Sequence, residues 1–238
     1  RLRSAGMLGS SVQRNQNFQV VIRVRPPLAR EKSGLKPYQD CVSVDTSMRS
    51  VVISENLESL KNNNDGLVYA THQFTFDLVY DQMSNQKTVY EFSAQSAVLS
   101  TLQGYNAAMI AYGQTGTGKT YTMEGARESM MESFGEAGGA AYAAERNDRG
   151  IIPRAIEDIF GYIENDPTVD SKYLVRAAYL QIYNEVISDL LKPDRTNLLI
   201  REDKKRGVFV EGLSEWVVRT PSEIYGLMER GASQRATG

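Results

Sequence analysis

Along the chain, a regular alternation of apolar and polar positions starts at Phe18. Phe18, Val20, Ile22 and Val24 alternate with Gln19, Arg23 and Arg25, a period of two that predicts a strand, and Pro26-Pro27 ends it. Two short β-branched runs follow, Cys41–Asp45 and Ser50–Ser54. Beyond the turn signal Asn62-Asn63-Asn64-Asp65-Gly66, the stretch Leu67–Asp77 predicts a strand pair, so this part reads as a small antiparallel N-terminal lobe. Asn85–Gln103 predicts one helix with Val89, Phe92, Ser96 and Leu99 on one face and Gly104 where a C-terminal cap belongs. Ala107–Tyr112 is a short apolar run of the kind a buried parallel strand shows, and it leads straight into a glycine-rich turn.

The second half repeats the mixture. Pro153 opens a helix with Ile156, Ile159, Phe160 and Ile163 on one stripe, stopped by Asn165-Asp166-Pro167. Lys172–Asn184 is long and apolar on both faces toward its end, as a central strand is, and Asn184-Glu185 then starts a short helix that includes Asp189. Leu198–Arg201, Gly207–Glu211 and Glu215–Arg219 predict short strands of a meander. Thr220, Pro221 and Glu223 spell a helix start, with Ile224, Leu227, Met228 and Gly231 on its inner face. Arg1–Asn17 lacks any period and reads as a mobile extension, residues 1–17, ahead of a domain spanning 18–238. Gly125–Arg149, rich in Gly, Ala, Ser and Glu, reads as a surface insertion between two helices. Strands mixed with helices imply an α/β domain, helices covering a sheet.

Composition narrows the chemistry. The 238 residues carry 27 basic and 29 acidic side chains, a near-neutral balance that offers no global field for nucleic acid. No apolar run reaches the roughly 18 residues of a membrane span. One cysteine, Cys41, and one histidine, His72, argue against an internal disulfide, a zinc cluster and a His-dependent triad.

Gly113-Gln114-Thr115-Gly116-Thr117-Gly118-Lys119-Thr120 fits G-x-x-x-x-G-K-[ST] and lies between a predicted strand and a helix start. Glycines let such a loop wrap with its N–H groups turned inward, and the helix that follows adds a favourable dipole. Lys119 is the residue to reach the β- and γ-phosphates, and the Thr120 hydroxyl the one to hold Mg²⁺. These two are the candidate catalytic residues. A second acidic partner for the metal, an Asp ending an apolar strand, is not legible after Thr120. By spacing alone the chain has a nucleotide site and an incomplete catalytic set.

The run Ala111-Tyr112-Gly113-Gln114-Thr115-Gly116-Thr117-Gly118-Lys119-Thr120-Tyr121-Thr122-Met123-Glu124-Gly125 resembles the phosphate loop of kinesin motor domains. Val20–Pro26 resembles the family's first strand with its R-x-R-P, and Phe76–Tyr80 the stretch before its second helix. Gly104-Tyr105-Asn106, Gly150–Arg154 and Gln181–Leu191 follow in the family's order, so the likeness spans Phe18 to Gly238. It implies a P-loop NTPase fold of kinesin type, a mixed central sheet flanked by helices, incomplete as given. The stretch Glu229–Gly238 resembles the helix just ahead of the family's first switch, so both switch motifs, the neck and a coiled coil are expected outside this chain.

The resemblance further implies ATP and ADP as ligands with Mg²⁺, and an adenine pocket from Arg23, Arg25, Pro26, Tyr105 and Tyr121 beside the loop Gly113–Thr120. It implies a microtubule-stimulated ATPase in the intact motor, acting on the microtubules of the cytoplasmic cytoskeleton, with the choice among spindle, cilium and transport left open. The alternative is a catalytically silent, kinesin-like module that anchors to microtubules. Arg195, Arg201, Lys204, Lys205 and Arg206 lie within twelve residues against Glu202 and Asp203, a local balance of +3 suited to the acidic tubulin surface. Neither nucleic acid nor a membrane is an expected partner; self-association or cargo binding is expected through regions outside the chain.

Overall fold

The computed structural model describes residues 18–33, 39–56, 69–126, 148–168 and 170–235. The expected extension at 1–17, the turn at Asn62–Gly66 and most of the expected insertion lie outside the described residues. The chain divides into two compact units, one of residues 1–96 with 111–119, the other of 97–110 with 120–238.

In the first unit, β1 (Val21–Arg23) pairs in parallel with β5 (Leu78–Tyr80). Two flanking bonds lengthen this ladder, Asp77 N–H donating to Val20 O at 3.1 Å and Val24 N–H to Tyr80 O at 2.9 Å. The strands β2 (Val42–Asp45), β3 (Ser50–Asn56) and β4 (Tyr69–Thr75) form an antiparallel sheet of their own, the expected N-terminal lobe. Of the expected strand pair at Leu67–Asp77, the described residues form one strand of that sheet, Tyr69–Thr75, and the next strand, β5, leaves it for β1. A four-residue turn of helix, α1 (Ala29–Lys32), follows Pro26-Pro27.

The predicted helix Asn85–Gln103 is two: α2 (Gln86–Ser93), capped by the Asn85 side chain accepting Thr88 N–H at 2.8 Å, and α3 (Gln95–Leu102). The break is at Ala94, wholly buried, whose backbone departs from helical values at φ −119°. The inner face also differs from the expected one. Gln86, Val89, Tyr90, Ala94 and Val98 are buried, whereas Phe92 is 64% exposed and Leu99 43% exposed, against expectation. Gly104 does end the pair, at φ +97°.

The second unit is built around α5 (Ile151–Glu164) and α6 (Pro221–Gln234). Ile156 and Phe160 of α5 join Val218 of β11 (Trp216–Val218) in a buried cluster. Ile224, Leu227 and Met228 of α6 pack on it, as the stripe predicts. Truncating either Ile156 or Phe160 would cost about 3 kcal/mol by the usual core arithmetic. Gly231 faces the Tyr179 ring so closely that a β-carbon would collide with it. At the start of α6 the Thr220 side chain accepts Glu223 N–H at 3.3 Å, while Glu223 accepts from Arg219 N–H at 2.6 Å, one residue earlier than a standard capping box.

Lys172–Asn184 is not one strand. It is β6 (Val175–Ala177), paired with β11, and β7 (Leu180–Tyr183), paired with β8 (Val186–Asp189). The expected short helix after Asn184 is therefore replaced by a tight hairpin. Asn184 at φ +49° and Glu185 at φ +66° have the signs a two-residue hairpin turn demands. The last hairpin joins β9 (Leu199–Asp203) to β10 (Gly207–Glu211), and β11 returns to β6 instead of extending a meander.

Pairing among the described residues runs through five sheets of two or three strands, one parallel and four antiparallel, so the α/β mixture is as expected. The strand expected at Ala107–Tyr112 has no pairing partner there, and Ile110 and Tyr112 are 86% and 97% exposed. A parallel strand gains its burial from neighbours on both edges, and its apolar pattern cannot supply them. No described helix is long and apolar enough to cross a membrane.

Candidate functional site

The glycine-rich loop of the first unit runs Gly113 to Lys119 into α4 (Lys119–Met123). Gly113, Gly116 and Gly118 take φ of +152°, +86° and +96°, a backbone that residues with a β-carbon adopt only under strain. At Gly113 a β-carbon would also sit 2.6 Å from the Thr117 hydroxyl. These turns fold the loop on itself. The Lys119 ammonium donates to Gly113 O at 2.8 Å and to Gln114 O at 2.9 Å. Thr117 sends its hydroxyl to Gln114 O at 2.8 Å and its N–H to the same oxygen at 3.3 Å.

Three donors, one of them charged, thus converge on a single carbonyl oxygen. A phosphate oxygen offers the same acceptor with more negative charge, so this donor set fits a nucleotide phosphate. Thr120, next in the chain after Lys119, is exposed in the first turn of α4. No described cluster of three His, Cys, Asp or Glu could hold a metal. A nucleotide-borne Mg²⁺ takes most of its ligands from phosphate and water, so one hydroxyl suffices for the protein's share.

The end of β1 reaches the same loop. Arg25 Nε donates to Gly116 O at 2.8 Å, and its two terminal nitrogens grip both oxygens of Glu31, at 2.9 and 2.5 Å. This grip holds the Glu31 carboxyl down to about 2, the N–H of Leu28 adding to it. Arg23 turns the other way, donating to Gln86 Oε1 at 2.7 Å and to Ser84 O at 3.4 Å. Pro26, beside Arg25, is exposed. Tyr105 and Tyr121 belong to the second unit; Tyr105 is 68% exposed, and the Tyr121 hydroxyl donates to Asp148 at 3.3 Å. The first unit thus brings Arg25 against the loop. Glu31 and Arg30, on α1, were not legible as site residues, although Glu31 stands at the capping-box spacing from Leu28.

The basic residues of the second unit are divided. Arg195 donates to Gly212 O at 2.7 Å at the root of the β9–β10 hairpin, and Arg201 pairs with Glu211 across it. Lys204, Lys205 and Arg206 form the exposed turn, whose shape the Asp203 carboxylate sets by accepting the N–H groups of Lys205 and Arg206. The Arg206 guanidinium lies 4.3 Å over the Phe209 ring. Both faces of the hairpin are open, with Ile200 and Val208 60% and 70% exposed on one and Leu199 54% exposed on the other.

The family model of the kinesin motor domain matches residues 23–238. The chain belongs to the kinesin family. Similar relatives include kinesin-like protein KIN-5D of Arabidopsis thaliana, 34% identical over 235 residues, covering 94% of this chain and 20% of its own length. The kinesin heavy chain of Gibberella moniliformis is 39% identical over 222 residues, covering 92% of this chain and 20% of its own. A solved structure of a fast kinesin superposes with a TM-score of 0.72 at 34% identity, over 92% of this chain and 53% of that one. The chain spans about a fifth of the length of these curated relatives. The kinesin motor domain is a nucleotide-binding α/β fold, and kinesins are microtubule-associated proteins of the cytoskeleton.

Proposed function

We propose that this protein is an ATP-dependent microtubule motor, in which residues 18–238 are part of the motor domain. The observation that carries this reading is the convergence of Lys119 and Thr117 on the Gln114 carbonyl, in a loop of the family's sequence. When ATP binds, its phosphates take the place of that carbonyl. Lys119 neutralises the β- and γ-phosphates, and the Thr120 hydroxyl is the protein's ligand to Mg²⁺. Arg23, Arg25, Pro26, Tyr105 and Tyr121 offer guanidinium planes, a proline ring and aromatic faces for the adenine. Hydrolysis and release alternate the domain between tight and weak microtubule states.

On the polymer side, the turn Lys204-Lys205-Arg206 contacts the acidic tubulin surface, with Arg195 and Arg201 supporting it. The protein then acts in the cytoplasm on microtubules, including those of spindle or cilium, and associates with itself or with cargo through other regions. Retention of both Lys119 and Thr120 favours turnover over the silent anchoring alternative. The test is ATP turnover with and without polymerised tubulin. A motor gives a rate that rises and saturates with tubulin, whereas a rate indifferent to tubulin would refute the reading.

A further inference from the structure

Glu31 belongs to no nucleotide-binding motif considered above, yet its carboxylate is tied into the phosphate loop through a single guanidinium. Its Oε2 accepts Leu28 N–H at 2.8 Å, which fixes the carboxylate at the start of α1. Both oxygens then hold the terminal nitrogens of Arg25, a planar two-point grip that sets the direction of the guanidinium as well as its position. The remaining edge of that guanidinium, Nε, meets Gly116 O at 2.8 Å. The Pro26 carbonyl accepts a further bond from Arg25 Nη1 at 3.0 Å.

What this does to the loop follows from the geometry of one peptide. A trans peptide is planar and directs its C=O and N–H to opposite sides. With Gly116 O held outward by Arg25, the N–H of Thr117 must face the opposite side. There it donates to Gln114 O, the oxygen on which Lys119 also converges. Gly116 is at φ +86° and has no β-carbon to restrain it, so this peptide is held by its two hydrogen bonds, the shorter outer one to Arg25 and the longer inner one to Gln114 O. Arg30, next to Glu31, brings a second guanidinium to within 3.7 Å of where a Gly116 β-carbon would lie, so the loop's outer edge faces positive charge.

We propose that Glu31 is a positioning residue of the nucleotide site: through Arg25 it holds the Gly116–Thr117 peptide turned so that the Thr117 N–H faces the bound phosphates. The ligand class is a nucleoside di- or triphosphate, and the proposal rests on the nucleotide reading above. Glu31 touches no ligand; it acts on how long one stays. Loosening the peptide removes one aligned donor and lets the phosphates leave faster.

The test uses the full chain and a fluorescent ADP analogue with Mg²⁺, measuring the dissociation rate and the binding stoichiometry for wild type, Glu31→Gln, Arg25→Ala and the double variant. Glu31→Gln is expected to raise the dissociation rate about fivefold to tenfold at unchanged stoichiometry. The double variant is expected to release the analogue no faster than Arg25→Ala alone, because one residue acts through the other. A merely structural role would instead lower the stoichiometry and leave the rate of the remaining sites unchanged, which would overturn the proposal. So would losses that multiply in the double variant. Lys119→Ala in the same assay separates the two levels. If it abolishes binding while Glu31→Gln behaves as wild type, the positioning role alone fails. If Lys119→Ala binds normally, the nucleotide reading fails and the proposal with it.

Discussion

The Asp189 carboxylate accepts the N–H of Ser214, 25 residues further along the chain, at 2.8 Å, from a side chain that is 1% exposed. Its other oxygen accepts the N–H groups of Leu191 and Lys192 at 2.8 and 3.1 Å. The end of β8 is thereby joined to the turn that precedes β11, on both sides of the root of the β9–β10 hairpin. Burial alone would raise this carboxyl, but Ser214 and the three N–H groups outweigh it and hold it below its ordinary value. Asp189→Asn puts an NH₂ where a donor already points. It should destabilise the protein by about 2–3 kcal/mol, the usual cost of leaving a buried polar group unpaired. Urea unfolding measures it, and a change under 0.5 kcal/mol would show that the hub contributes little.

Acid should expose the Glu31–Arg25 pair. The Glu31 carboxyl lies at about 2 in place of 4.5. A carboxyl depressed by folding contributes stability that is fully present above pH 4.5 and is lost as pH falls toward 2. Glu31→Gln removes that contribution, so its unfolding free energy should decline less steeply than that of wild type between pH 4.5 and 2. Parallel curves across that window would mean that the pair is already open in solution.

Lys119→Ala takes away the one full charge among the donors on Gln114 O. Nucleotide affinity should fall at least a hundredfold, and calorimetric titration with MgADP reads it directly. Thr120→Ala should weaken binding with Mg²⁺ more than binding in the presence of EDTA. Equal losses in the two conditions would remove Thr120 from the metal.

Reversing Lys204 and Lys205 to Glu should weaken microtubule affinity about tenfold at low salt and flatten its dependence on ionic strength, because surface charges act through a screened field. Cosedimentation over a range of KCl is the measurement. Arg195→Ala should change the slope less, since its guanidinium is used on Gly212 O. Identical slopes for wild type and the Lys204/Lys205 variant would make the hairpin turn a bystander.

Gly231→Ala drives a methyl group into the half-buried Tyr179 ring, where α6 meets the loop between β6 and β7. Overpacking of this sort costs about 1–3 kcal/mol. Differential scanning calorimetry should show a lower melting midpoint, and an unchanged midpoint would mean that the ring swings aside.

Signals that act within a few residues were legible. The phosphate loop, the Thr220–Glu223 helix start and the inner stripe of α5 each depend on neighbours within one or two turns of chain. Elements whose form depends on distant partners were not. Ala107–Tyr112 has the apolar letters of a buried strand, but pairing requires edges that its own pattern does not describe. The break at Ala94 divides the expected helix into α2 and α3, and no proline or glycine marks it. Asn184-Glu185 lacks the glycine that usually betrays a two-residue hairpin turn, so β8 reads as the start of a helix. At the site, the same division holds. Lys119 and Gly116 announce themselves by spacing, whereas Glu31 matters through a guanidinium from another element.

Gly125 and Arg149 are joined by an antiparallel bridge, with Ala126 N–H donating to Asp148 O and Gly150 N–H to Glu124 O. Arg149 is in turn anchored to Glu157 on α5. The chain therefore departs and returns through one closed doorway directly behind the phosphate-loop helix. Closing a longer loop costs only about 0.6 kcal/mol per doubling of its length. By that arithmetic a change in the length of chain between Gly125 and Arg149 carries little entropic penalty as long as the bridge itself holds, which makes this pair the natural flanks for an engineer inserting a reporter domain.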